Sequence, residues 1–388
     1  MGKILYLDGI RGIAALNVLF THFIVAFYPA MYNGNTDQVH GGIWEAELAQ
    51  SVWTLFYAGN LAVPMLFILS AYVLSFRFFM YQDTAMATAS AYRRYLRLEI
   101  PVVLSMIFSW ALMKFGLNYN GEVAQITHSQ WFLGSYFQYE PSLWGAIKQG
   151  LWECFAVGGD VSYNPVLWTM NFEMLGSFSV FGFLALFGKS KRRYVVYAVM
   201  AVVFIKSYYL AFVFGMILSD MHYSAWGKAA REYLLKNQWM TWLFMVVGCV
   251  FALYFDDGRN GISRMLNLEF LRNWGVDFHA FYHIIGAAFV LLGCLYNTRI
   301  QRILSGGTWQ FLGRIAFSLY LVHFLLICSL GSFLFLEIYQ AGLSYGVSVF
   351  LSAAMTTVFI LAAAYLMTKF VDEPAMKMVK NLQKRYFF

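Results

Sequence analysis

The side chains best suited to chemistry in this chain stand where apolar surroundings tolerate them least. Asp8, Arg11 and His22 interrupt a stretch made mostly of Leu, Ile, Ala, Val and Phe. The spacing of Arg11 and His22 is close to three helical turns, so both fall on one face, about 16 Å apart along the axis. Asp8 precedes Arg11 by one turn and is placed to orient its guanidinium. A neutral imidazole can take a proton from a hydroxyl or carry a transferred group. A guanidinium on the same stripe suits an anion.

Further polar groups recur along the chain. Arg93, Arg94 and Arg97 precede Pro101, and Arg94 and Arg97 are spaced to share a face. Such a cluster fits phosphate recognition, or it is the basic decoration common at the cytoplasmic end of a membrane helix. Glu173, with Asn171 beside it, lies one to two turns inside another apolar run, either as a functional carboxylate or as the partner of an arginine on a different helix. His323 is a second imidazole within an apolar run, with Tyr320 three residues before it. His279 and His283 have the spacing of a zinc pair but lack an intervening glutamate and a nearby third ligand, so they read as interface histidines and no metal is expected.

The elements that must position these groups are membrane helices. Of the residues, 60% are hydrophobic and 12% charged, against about 25% charged in soluble domains. Too few charges exist to dress a water-soluble surface, so the expected solvent is a lipid bilayer and the expected fold is all-α and polytopic. Apolar runs near 10–30, 57–79, 99–117, 165–187, 193–206, 207–219, 239–255, 279–297, 311–335 and 344–370 predict about ten transmembrane helices. The runs at 193–206 and 207–219 read as a short hairpin, because basic residues flank the pair on both sides. The net charge of +7 is better explained by cytoplasmic loops than by nucleic acid. With both termini cytoplasmic, all but Lys114, Lys148, Lys206, Arg259, Arg264 and Arg272 of the 27 Lys and Arg residues fall on the cytoplasmic side. No cleavable signal peptide is expected, and the four cysteines show neither metal spacing nor a disulfide framework. One membrane domain over 1–388 is expected, with no appended soluble domain. Its outer loop, 118–164, should carry an interfacial helix within the amphipathic stretch Leu143–Phe155.

Taken together, these pieces resemble the acyltransferase type 3 family, multi-pass membrane O-acyltransferases that modify envelope carbohydrates and small glycosides. The resemblance rests on the segment from Tyr6 through Arg11 with His22 ten intervening residues later, on Phe67–Ser75, and on Arg93 to Pro101. Leu167–Glu173, Ser318–His323 and the closing Glu373-Pro374 complete the series. Ala71 stands where members usually have glycine, Met174 where a second acidic residue is frequent, and Asn171 departs from the usual residues before the glutamate; these positions bear on acceptor identity. The resemblance implies a ten-helix core in a cell membrane, an acyl-CoA donor on the cytoplasmic side and an acceptor often presented outside.

On that footing Arg11, Arg93, Arg94 and Arg97 would hold the phosphates or pantetheine amides of acyl-CoA. His22 would be the general base or transient acyl carrier, and Glu173 would orient an imidazole or the acceptor. Asp8, Asn171 and His323 would line the substrate site. No permanently bound cofactor is expected, and the group carried would be acetyl, the family's commonest. A transporter or flippase using intramembrane His, Arg and Glu is the alternative. A receptor whose buried polar groups only fix helix packing accounts poorly for an arginine–histidine stripe.

Overall fold

A computed structural model describes residues 4–386, and every regular element among them is helical. The helices that matter for the site are α1 (Leu5–Phe27), α2 (Gly59–Tyr81), α3 (Thr84–Lys114), α4 (Leu143–Leu151), α5 (Thr169–Leu186), α6 (Arg193–Phe204) and α7 (Tyr209–Tyr223). They are followed by α8 (Gln238–Ala252), α9 (Phe278–Tyr296), α10 (Gly307–Leu326) and α11 (Tyr345–Met367). Helix α10 continues through a widened π turn, Ile327–Gly331, into Ser332–Gln340, and α11 through another, Thr368–Asp372, into Glu373–Tyr386.

Among the described residues seven helices are long and apolar enough to cross a bilayer, or eight if the pair Ala225–Lys236 and Gln238–Ala252, bent by 97°, is one broken span. The other expected spans fall on α6, α7 and α8, which have 12, 15 and 15 residues. At 1.5 Å per residue these reach only about 18–23 Å, short of a hydrocarbon core of about 30 Å. The count of about ten therefore holds approximately, and α6 and α7 are separate helices as the flanking charges required.

One difference concerns the arginine cluster. Hydropathy places Arg93–Arg97 in a connector, whereas α3 is already helical from Thr84. The segment before Arg93 is rich in Ala and contains neither Gly nor Pro, so nothing stops the helix where the apolar run ends. The amphipathic stretch Leu143–Phe155 forms a helix, α4, followed by a 3-10 turn at Glu153–Phe155. Ser142 caps α4 by accepting from the Gly145 amide, and Lys148 pairs with Glu153 at 2.5 Å.

The chain divides into two compact units, each drawn from several stretches of sequence. The first comprises the described residues through Ala14, Ala58–Tyr95 and Phe172–Gly313. Its core is an aromatic and aliphatic cluster that includes Phe67, Ile68, Phe78, Phe181, Phe212, Val213 and Ile284. Close backbone approach matters within it: a Cβ on Gly248 would lie 2.6 Å from the Gly286 carbonyl oxygen, so α8 and α9 pack through paired glycines, as membrane helices commonly do. The start of α1 is seated similarly, since a Cβ on Gly12 would lie 2.8 Å from the Gly313 amide nitrogen.

The second unit comprises Ala15–Tyr57, Leu96–Asn171 and Arg314 onward. Polar ties brace it. The Asn164 amide donates to the Leu321 carbonyl at 2.9 Å, and the Thr169 and Tyr320 hydroxyls are 2.6 Å apart. The π turn after α10 leaves the Cys328 carbonyl open to accept from the Tyr119 amide at 3.1 Å.

Candidate functional site

In the second unit the structure brings His22 of α1 against His323 of α10. His22 Nδ1 and His323 Nε2 are 2.7 Å apart, and the rings are 17° from coplanar, as an in-plane N–H···N bond requires. His323 is fully buried, and its Nδ1 lies 2.8 Å from the Tyr320 carbonyl and 3.1 Å from that of Leu319. A carbonyl oxygen only accepts, so Nδ1 of His323 carries a proton. With both rings neutral, His323 Nε2 is then a lone pair and His22 Nδ1–H donates to it. The remaining nitrogen of His22, Nε2, is left as the basic one. Second contacts fix a His tautomer in this way in many active sites.

Neighbouring bonds hold α1 in place around this pair. Asn17 donates to the Leu55 carbonyl at 3.0 Å, and the Thr21 hydroxyl is 2.7 Å from the Tyr57 carbonyl oxygen. Phe132 stacks on the His22 ring at 5.7 Å, and Phe324 meets it edge-on at 5.6 Å. The imidazole is thus flanked by apolar rings on a helix tied by two side-chain bonds.

A separate polar network lies in the first unit. Arg94 is buried and ion-paired with Glu173, and its Nε donates to the Ser177 hydroxyl at 2.8 Å. Ser70 completes it, donating to Glu173 at 2.5 Å and accepting from Arg94 at 3.0 Å. Ser177 in turn donates to the Glu173 carbonyl at 2.5 Å. Helices α2, α3 and α5 are cross-linked by these four side chains. A buried guanidinium and a largely shielded carboxylate paired in this manner satisfy each other and lock helix register.

The remaining predicted residues take clear positions. Asp8 accepts from Arg11 at 3.0 Å, as their spacing required, and Arg11 stays partly exposed. Arg93 is half-buried with the charge of Arg77 nearby, whereas Arg97 is exposed and interacts with Asp372. Asn171 is half-buried and, two residues from Glu173, points off that residue's face. His283 turns its Nδ1 to the His279 carbonyl at 2.7 Å, and no group of three or more His, Cys, Asp or Glu ligands converges among the described residues.

Ser70 and Ser177 were not singled out by the sequence. Ser177 had a signal, its one-turn spacing from Glu173, and Ser70 lies inside the motif Phe67–Ser75. The pairing of His22 with His323 had none, since the two are separated by 301 positions.

Comparison with known proteins decides the family. A family model described as an acyltransferase domain, type 3, matches residues 4–369, nearly the whole chain, with both the His22–His323 pair and the Arg94–Glu173 network inside it. The chain belongs to the acyltransferase type 3 family. This acyltransferase is 25% identical to acyltransferase clz18 of Cochliobolus lunatus, over 98% of its own length and 95% of that protein's. It is likewise 25% identical to acyltransferase R4 of Phoma sp. (strain ATCC 20986 / MF5453), with the same coverage of both chains. No solved structure matches the acyltransferase.

Proposed function

We propose that this membrane acyltransferase moves an acetyl group from acetyl-CoA to a hydroxyl of a carbohydrate or glycoside acceptor, with His22 as general base. The observation that carries the reading is the His22–His323 pair, which leaves one basic nitrogen on a fixed imidazole. In the step proposed, the acceptor O–H attacks the thioester carbonyl and its proton passes to His22 Nε2. A C–O bond forms, the C–S bond breaks, and CoA departs as a thiolate that takes the proton back as a thiol. As His22 becomes a cation, its Nδ1–H keeps donating to His323, which supports the charge as the orienting member of a triad does.

The donor's phosphates fall to Arg11, Arg93 and Arg97 in this reading. Arg94 is engaged by Glu173, Ser70 and Ser177, so it holds α3 in place and acts on the donor through its neighbours. Asp8 steadies Arg11, and Asn171 remains a candidate acceptor contact. The test is mass spectrometry of cell-envelope glycans and small glycosides with and without the gene, together with thiol release from acetyl-CoA by the purified protein in lipid nanodiscs. Loss of an acetyl mass from a glycoside on deletion is the expected result; an unchanged profile and no acceptor-dependent thiol release would refute the reading.

The basic asymmetry further supports a cell-membrane orientation with both termini, 80–98, 188–193, 220–238 and 298–310 cytoplasmic and 31–56, 118–164 and 256–278 external. Single cysteines introduced at 230 and 145 in a variant lacking native cysteines should label from opposite sides with a membrane-impermeant maleimide. Outside labelling at 230 would reverse the assignment.

A further inference from the structure

The segment 128–137 of the outer loop is built with more care than a connector needs. Ser129, fully buried, donates to the Val25 carbonyl at 2.7 Å, one turn beyond His22 on α1. At the other end the Asn120 side-chain amide donates to the carbonyls of Leu133 at 2.7 Å and Tyr136 at 3.0 Å. Gln38 donates to the His128 carbonyl at 3.1 Å. Two non-glycine residues, His128 at φ 54° and Phe137 at φ 61°, occupy the left-handed region at the ends of the segment. Such backbone is retained where its surroundings determine it, and it recurs at ligand-binding positions.

What the segment holds in place is a run of aromatic rings that reaches His22. Phe132 stacks on His22 at 5.7 Å, Trp131 lies 5.7 Å from Phe132, and Tyr32 stacks near-parallel to Trp131 at 6.3 Å and 27°. Trp131 is 49% exposed. A large apolar ring is therefore left open at the end of a path whose other end is the proposed base. Amides belong to the same segment or bond to it: Gln130, exposed, precedes Trp131, and Gln38, which accepts from Asn33 at 2.6 Å, donates to the His128 carbonyl. An apolar ring on a segment that carries amides suits a sugar, whose C–H face is apolar and whose edge carries hydroxyls.

We infer that Trp131 and Tyr32 form the acceptor platform, on which the pyranose ring of a glycoside stacks so that one of its hydroxyls is delivered toward His22. The inference rests on the reading of the protein as a glycoside O-acyltransferase and adds the element that selects the acceptor. Trp131 is a binding residue here, and its loss should act on the acceptor's KM, leaving donor affinity unchanged.

Two measurements test it on the full-length protein in lipid nanodiscs. A diazirine-tagged alkyl glucoside should label the peptide containing Trp131, and methyl β-D-glucoside should compete the label away. With saturating acetyl-CoA, Trp131→Ala should raise KM for methyl β-D-glucoside about tenfold, the effect of exposing one apolar contact face. Trp131→Phe should fall between it and the wild type, and acetyl-CoA affinity should be the same in all three. Labelling elsewhere, no competable labelling, or an unchanged KM in Trp131→Ala would overturn the platform and leave Trp131 as an interfacial anchor. Competable labelling at Trp131 without transfer would keep the platform and refute the transfer reading; transfer with neither labelling nor a KM change would do the reverse.

Discussion

His22→Gln should lower acetyl transfer by about 10²–10⁴-fold, the range contributed by a positioned general base, with expression and melting temperature near wild type. Glutamine keeps a donor and an acceptor and approaches the imidazole in size, so its amide can still bond His323. It cannot take up a proton, and the loss therefore isolates basicity from hydrogen bonding. His22→Ala should be equally inactive. His323→Ala leaves the base but removes the acceptor that selects its tautomer, and a loss of about 10–100-fold in kcat is expected, as for other orienting partners. His279→Ala and His283→Ala, on α9 in the first unit, should retain most activity. Thiol release measured against acceptor concentration separates these outcomes. A His22→Gln protein working within a few fold of wild type would exclude proton transfer through α1, and equal defects at His22 and His323 would mean that the pair acts as one unit.

The parts of this arrangement that were legible in the sequence are those set by local rules. Helix periodicity put Arg11 and His22 on one stripe, and the one-turn spacing of Asp8 and Arg11 became a 3.0 Å bond because both lie on the same continuous helix. Flanking charge separated α6 from α7 where hydropathy alone would have joined them. What stayed hidden is the identity of partners on different helices. An apolar helix with one polar face states that the face needs a partner, and nothing in its own spacing chooses among the other helices. Glu173 was readable as a carboxylate in need of a cation, but Arg94, 79 positions away, looked the same as Arg93 and Arg97. Burial distinguishes them, with Arg94 buried and Arg97 exposed, and burial follows from how α2, α3 and α5 pack. The start of α3 was misplaced for a related reason: hydropathy marks where a chain leaves lipid, whereas a helix ends only where capping or a breaking residue ends it. Trp131 and Phe132 were invisible because aromatic residues in a loop between membrane helices read as interface anchors until their ring contacts are known.

The buried ion pair gives the largest expected effect on stability. Arg94→Ala leaves the Glu173 carboxylate without its cation, and Glu173→Ala leaves the guanidinium without its anion; each should cost about 3–5 kcal/mol. Removing both charges together should cost much less, because an apolar pair of similar volume needs no counterion in this setting. Arg94→Met with Glu173→Leu is accordingly expected to melt nearer the wild type than either single alanine variant, a coupling readable in a double-mutant cycle. Ser70 and Ser177 make recovery incomplete, since both hydroxyls lose charged partners, while Ser177 keeps its bond to the backbone carbonyl of position 173. The exposed or half-buried arginines supply the contrast. Arg93→Ala with Arg97→Ala should leave the melting temperature nearly unchanged while weakening acetyl-CoA binding, because charge-assisted phosphate bonds contribute about 1.5–3 kcal/mol each. Thermal melts and CoA titrations on the two pairs of variants therefore divide one arginine cluster into a helix lock and a donor contact. Equal stability loss in both pairs would mean that all three arginines are structural. Undiminished stability in Arg94→Ala would show that water reaches Glu173 and that the carboxylate is available to the reaction.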